Sequence, residues 1–275
     1  MRITIKRQID TNPKISLIVS TYNWPGALEL CLKSIEQQTL LPFEVIIADD
    51  GSDESTEKLI QAYQMAYPIP LIHVWQPDQG FQLSRIRNKA IAEASGEYII
   101  QIDGDLILNS YFIQDHLNFC KKGTFVTGSR VMLSEKLSNK LINKTSIKIP
   151  FFNSGVSSRI NGIRSKLLRN YMADRYRIND IYFMRGCNMA FWREDLIRVN
   201  GYNEEFTGWG REDNEIAIRL INVGLKKRVI KFGAVAYHLF HRHNSRVNLD
   251  INDKLLQEAV AGKKGYCRIG LDQYT

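Results

Sequence analysis

RNKAIAEASGEYIIQIDGD, residues 87–105, is the stretch on which the fold turns. Its first part continues a pattern that opens at Leu83. Ile86, Ala90, Ile91 and Ala94 fall at helical spacing, so 83–95 reads as an amphipathic helix. EYIIQID (97–103) then reads as a buried strand that ends in acid. Upstream the same alternation repeats. ISLIVS (15–20), FEVIIADD (43–50) and PLIHVW (70–75) are strand-length apolar runs. Helical patterns lie between them, at GALELCLKSIEQQ (26–38) and over 54–67. Continuous apolar strands alternating with helices predict an α/β fold with a parallel sheet covered on both faces.

Ligands in such sheets bind outside the carboxyl ends of the strands. The residues there are Thr21-Tyr22-Asn23, Asp49-Asp50-Gly51-Ser52, Gln76-Pro77-Asp78-Gln79 and Asp103-Gly104-Asp105. Four polar clusters are thus expected on one edge. Asp103 and Asp105, two apart on extended chain, can face one ligand. Two hard oxygen donors suit Mg²⁺ or Mn²⁺ on a diphosphate, against the alternative of a simple Asp-Gly turn. Asp49–Ser52 reads first as a turn with Ser52 or Asp53 capping the next helix. Arg85 and Arg87, early in the 83–95 helix, can meet a phosphate or simply face solvent.

Beyond residue 127 the character changes. Residues 134–177 carry ten Lys and Arg against Glu135 and Asp174, with no clear period, and read as a basic excursion or lid. CNMAFW (187–192) reads as a strand, REDLIRV (193–199) as a short helix and EDNEIAIRLINVG (212–224) as a helix. RVIKF and AVAYHLF read as strands, and INDKLLQEAVAGKK as a C-terminal helix. FTGWGRED (206–213) sets glycines around Trp209 ahead of Glu212 and Asp213, poor core sequence but suited to a sugar face beside a carboxylate. The competing reading makes Glu212 and Asp213 helix caps. In YHLFHRH, an extended chain would put His241 and His243 on one face and His238 on the other unless it turns.

The 275 residues carry 37 basic and 29 acidic side chains, a net charge of +8, and 44% hydrophobic residues. This is globular composition. Four scattered cysteines argue against a disulfide framework or a zinc site. No run approaches the ~20 apolar residues of a membrane span, and MRITIKRQIDTNPK has no apolar signal core. A cytoplasmic location is expected, peripheral at the inner face of the membrane, with the 134–177 segment touching anionic lipid or a lipid-diphosphate-linked acceptor, against the alternative of a solvated, mobile excursion. No nucleic-acid module is recognisable, so no nucleic-acid partner is expected.

Together, ISLIVSTYN, FEVIIADDGSDEST, RNKAIAEASGEYIIQIDGD, GCNMAFWRED and GWGRED resemble the inverting glycosyltransferases of family 2, with the GT-A fold. GWGRED followed by YHLFH is similar to the branch of bacterial chondroitin polymerase domains, β-1,4-galactosyltransferases and polypeptide N-acetylgalactosaminyltransferases. The resemblance implies a single GT-A domain with a mostly parallel central sheet and a small mixed C-terminal sheet. Within it, 1–127 would be the nucleotide-binding half, 128–180 the basic excursion, 181–250 the acceptor-binding and catalytic half, and 251–275 a C-terminal helix and tail. It implies a UDP-sugar donor, an oligosaccharide or lipid-linked glycan acceptor, and Mn²⁺ or Mg²⁺. Ser20, Tyr22, Asp50, Arg85 and Asp103 would hold the donor nucleotide. Asp105 and His238, or His241 in its place, would hold the metal. Asp213 would be the catalytic base, with Trp209, Glu212, Asn188 and Arg211 on the acceptor or donor sugar. The galactosyltransferase pattern has Gly where Arg211 stands. A GDP-sugar donor, or a non-catalytic glycan-binding role, is the alternative.

Overall fold

A computed structural model describes residues 12–150, 152–242 and 246–275. Apolar runs make the central strands, buried on both faces within the sheet and half-buried at its edge. These are β1 (Ile15–Thr21), β2 (Glu44–Asp49), β3 (Leu71–Trp75) and β4 (Tyr98–Asp103). Helices α1 (Pro25–Glu36), α2 (Glu54–Gln64) and α3 (Leu83–Glu93) connect them. Every residue of β1 and β2 is buried. Asp53 caps α2, accepting from the amides of Ser55 and Thr56.

The second half adds β5 (Leu106–Leu108), α4 (Phe112–Phe119), β6 (Thr124–Thr127) and β7 (Val131–Leu133). Then come α5 (Glu135–Asn143), β8 (Val156–Ser157), α6 (Lys166–Met172), β9 (Asn188–Trp192) and α7 (Arg193–Arg198). The chain closes with α8 (Glu212–Asn222), β10 (Lys226–Val229), β11 (Ala236–His238) and α9 (Leu249–Ala261).

The central sheet runs β10-β6-β9-β4-β1-β2-β3, and β5-β11-β7-β8 form a smaller second sheet. In the central sheet only β9 is antiparallel, against both β4 and β6. Helices α1, α2 and α4 pack one face through Leu28, Leu32, Ile60 and Phe112. Helices α3, α7 and α8 pack the other through Ile86, Ala90, Leu196 and Ile216. The α/β class and the mostly parallel sheet agree with the sequence reading. Strand pairing also places the edge residues, since Ser20 lies beside Asp103 and Thr21 beside Asp49.

The basic excursion is more regular than its sequence suggests. In α5, Leu137 and Leu141 are one helical turn apart and bury against Ala27 and Leu30. Two apolar positions among lysines are too few to show a period. Lys136, Lys140, Lys144 and Lys148 stay exposed. The other half of the excursion is pinned by charge. Asp115, on α4 and 1% exposed, receives Arg164 through Nε (2.8 Å) and Nη2 (2.9 Å) and Arg169 through Nη1 (2.8 Å). The Ala234 amide also donates to it at 3.1 Å. Breaking a buried pair leaves an unpaired buried charge, worth about 3–5 kcal/mol. Asp115→Ala should therefore lower the unfolding free energy read from denaturant melts by an amount of that order, with α6 the first segment to exchange its amide protons.

Candidate active site

Strand β4 ends in the two acids that its sequence promised. Gly104 lets the chain turn tightly, its amide donating to the Ser20 carbonyl at 2.7 Å, and a Cβ there would meet that oxygen at 3.0 Å. Asp105 then directly precedes β5 of the small sheet, where His238 pairs in register with Leu106. His238 Nε2 lies 3.4 Å and His241 Nε2 3.3 Å from Asp105 Oδ2. β11 ends at His238 and the chain turns, so His238 and His241 converge rather than taking opposite faces. His243 lies outside the described residues.

One carboxylate oxygen and one nitrogen from each imidazole lie within 4.8 Å of one another. Burial, reinforced by Asp103, pushes the Asp105 carboxyl up to about 8. Burial, with Arg130 and His241 adding to it, pushes His238 down to about 3 and keeps its lone pair free. Asp105 Oδ1 and His238 Nδ1 are buried with no hydrogen-bond partner. A mixed oxygen and imidazole donor set of this kind fits a divalent transition ion such as Mn²⁺.

Arg87 is the group that sequence reasoning left undecided. It is 1% exposed and forms the centre of the cleft. Its Nε donates to Ser20 Oγ (3.4 Å), Nη1 to Asp213 Oδ1 (3.0 Å) and Nη2 to Asp103 Oδ1 (3.3 Å). Glu212 Oε1 lies 3.6 Å from Nη1. Two helix positions are about 200° apart, so with Arg87 facing the sheet Arg85 must face away. Arg85 instead donates to Gln79 Oε1 at 3.3 Å and does not line the cleft.

One guanidinium cannot neutralise three carboxylates. Glu212 is pushed up to about 8, by burial first and by Asp213 second, and so holds its proton more tightly than an ordinary carboxyl. Asp213 is also raised by burial, but Arg87 opposes that shift with charge and a hydrogen bond. The first turn of α8 favours the anion further. Asp213 is therefore favoured over Glu212 as the anion of the pair. Gly186 makes room for it, because a Cβ there would stand 1.9 Å from Asp213 Oδ2.

Ser20, Tyr22, Asp50, Asp103, Asp105 and Arg87 line one cleft of about 1060 Å³. Trp209, Arg211, Glu212, Asp213, His238 and His241 line its other walls. Asp50 is already engaged by Gln76 Nε2 (2.6 Å) and the Gln82 amide (2.9 Å), and Tyr22 donates to Asp78 (2.9 Å). Trp209 stands between Gly208 and Gly210, both at positive φ, with Arg246 over its ring at 5.1 Å. Arg211 itself has φ +79°, left-handed backbone that suits Gly better, and its guanidinium pairs with Asp253 of α9. Asn188 does not line the cleft. It is fully buried on β9, bonded to His116 and to the carbonyls of Ser129 and Ala234. Its role here is to fix the β6 and β11 ends.

Residues 16–199 match the family model described as glycosyl transferase family 2. The chain belongs to that family. Residues 172–243, which carry Trp209, Glu212, Asp213 and both histidines, match the model described as the N-terminal domain of galactosyltransferase. This family 2 chain is 29% identical over 256 residues to chondroitin synthase of Escherichia coli, covering 85% of this chain and 37% of that protein. It is 29% identical over 239 residues to hyaluronan synthase of Pasteurella multocida, covering 82% of this chain and 24% of that one. It thus spans well under half of either relative.

Among solved structures it resembles Staphylococcus aureus TarS 1–349 in complex with UDP-GlcNAc, with TM-score 0.65 and 17% identity over 95% of this chain and 69% of that one. It also resembles the Pyrobaculum calidifontis mannosyltransferase PcManGT in complex with GDP-Man and Mn²⁺. There the TM-score is 0.58 and the identity 18%, covering 85% of this chain and 59% of that one. The fold is GT-A.

A ligand that binds only the native state raises its melting temperature. Mn²⁺ alone should raise that of the wild type, and His238→Ala and Asp105→Asn should each abolish the rise. A full shift in both variants would place the ion elsewhere.

Proposed function

We propose that this chain transfers a hexose or N-acetylhexosamine from a UDP-sugar to a sugar hydroxyl with inversion, in the assembly of a bacterial surface polysaccharide or lipopolysaccharide. The observation that carries the reading is Asp213, hydrogen-bonded to the same Arg87 guanidinium as Asp103 in the cleft that Asp105 also lines. The uracil and ribose would lie along Tyr22, Ser20 and Asp50, at the ends of β1 and β2, with Asp103 toward the ribose. Asp105, His238 and His241 would hold a divalent cation, whose chemistry when bound is to neutralise charge on the leaving diphosphate.

Asp213 accepts the proton of the acceptor hydroxyl as that oxygen attacks the anomeric carbon. The bond between that carbon and the diphosphate oxygen breaks, and its electron pair leaves with UDP. The attack comes from the face opposite the diphosphate, so an α-linked donor gives a β-linkage. Protonated Glu212, beside the base, can donate a hydrogen bond to a sugar oxygen without competing for the proton. Trp209 offers an aromatic face to the sugar ring. No covalent intermediate is formed, so no further nucleophile is needed.

The donor nucleotide is read by thermal shift with UDP, GDP and CMP, each with and without Mn²⁺. A metal-dependent rise with UDP alone, lost in Asp105→Asn, is the expected result. A rise with GDP instead would keep the transferase and change the donor. No rise with any nucleotide would overturn the catalytic reading in favour of a glycan-binding one.

A further inference from the structure

The cleft has a side chamber of about 250 Å³ that the donor and the catalytic acids do not use. Arg130, Met132 and Arg185 line both spaces, so the chamber adjoins the cleft. Arg130, Arg185 and Lys231 supply its charge, with Ser129, Ser158 and Asn161 beside them. Tyr176 and Phe183 form an aromatic wall on which Lys231 (5.5 Å) and Arg185 (4.9 Å) rest.

What sets the chamber apart is the lack of a direct ion pair to any of its cations. Among the described residues no carboxylate forms an ion pair with any of the three cations. Arg130 Nη1 donates to Cys187 Sγ (3.3 Å), a thiol that burial pushes up to about 12 and so keeps neutral. Arg185 donates to the Met184 carbonyl at 2.9 Å, and Lys231, only 8% exposed, donates to Asn161 Oδ1. Each cation donates to a neutral acceptor; the charges of Asp103 and Asp105 reach Arg130 from the cleft, while Arg185 and Lys231 feel chiefly other cations, Arg177 among them. Like charges gathered around one hollow with no acid in its lining are the arrangement of an anion site.

Topology says whose anion it is. The nucleotide-side residues follow β1 and β2, and the metal-binding acid follows β4. Ser129 and Arg130 follow β6, Lys231 follows β10, and Arg185 precedes β9. Strands β9, β6 and β10 lie beyond β4, on the side away from β1 and β2. The chamber therefore sits on the far side of the leaving-group centre from the nucleotide.

We infer that it receives a phosphate group carried by the acceptor. This rests on the transferase reading for the word acceptor, while the anion site stands on the chamber alone. Three cations without an acid match a phosphate ester, which carries about −1.5 to −2 at neutral pH, better than a single carboxylate. The guanidinium fork presents paired donors to phosphate oxygens, and the two serine hydroxyls and the lysine add single ones.

The test is calorimetric titration of protein saturated with UDP and Mn²⁺, using glucose 6-phosphate, glucuronate and glucose, which differ at one substituent. Glucose 6-phosphate should bind, more tightly than glucuronate, with no measurable binding of glucose. Arg185→Gln, at a side chain open to solvent, and Lys231→Met should each weaken the phosphate at least about tenfold while leaving UDP affinity unchanged. Equal binding of the phosphate by wild type and both variants, no binding of it at all, or a preference for glucuronate would overturn the inference. If UDP itself fails to bind, the transferase reading fails, and the sugar-phosphate titration still decides the chamber.

Discussion

A buried guanidinium shared among carboxylates is the constraint on which this cleft depends. Arg87 is out of water and can stay charged only because Asp103 and Asp213 accept from it. Those acids come from β4 and α8, more than a hundred residues apart, and Arg87 comes from α3. One cation therefore ties three elements together in the cleft. It also divides the work of the adjacent acids. Asp213, hydrogen-bonded to it, is favoured as the anion, and Glu212, at 3.6 Å and without that bond, takes up the proton. Removing Arg87 would leave acids in low dielectric with nothing to keep one of them ionised.

The same division of labour governs the other wall. Asp105 and His238 are buried with orphaned polar atoms, which an apolar or hydrogen-bonded core would not leave. The small sheet exists to hold them. β11 brings His238 beside β5, and the turn after β11 returns His241 to the same carboxylate. The excursion between β7 and β9 closes the remaining side, anchored by Arg164 and Arg169 on Asp115 and by the apolar stripe of α5.

Much of this was legible in the chain, for reasons that can be named. Apolar strands of the first half are buried on both faces, so their pattern survives as continuous runs, and the polar residues closing them mark one edge. Asp103, Asp105 and Asp213 stand out because acids at strand ends and after glycines are costly unless used. Arg87 was harder. Nothing local distinguishes it from Arg85, and only the helical phase of α3 against the sheet sends one into the cleft and the other outward. Asn188 shows the reverse. Its place in GCNMAFW suggested a sugar contact, but its amide is consumed by His116 and two carbonyls that come from other parts of the chain. The regularity of α5 and the convergence of the histidines likewise come from tertiary packing and a turn, which a linear pattern does not encode.

The division between Asp213 and Glu212 is best tested by the rate at which a UDP-sugar is turned over to UDP by Asp213→Asn beside Glu212→Gln. Gln has nearly the shape and charge of a protonated Glu212, so that variant should keep its rate within about tenfold. Asp213→Asn removes the proton acceptor and should lose on the order of 10²–10⁴ of the rate, with UDP binding intact. Turnover surviving in Asp213→Asn and lost in Glu212→Gln would contradict the account.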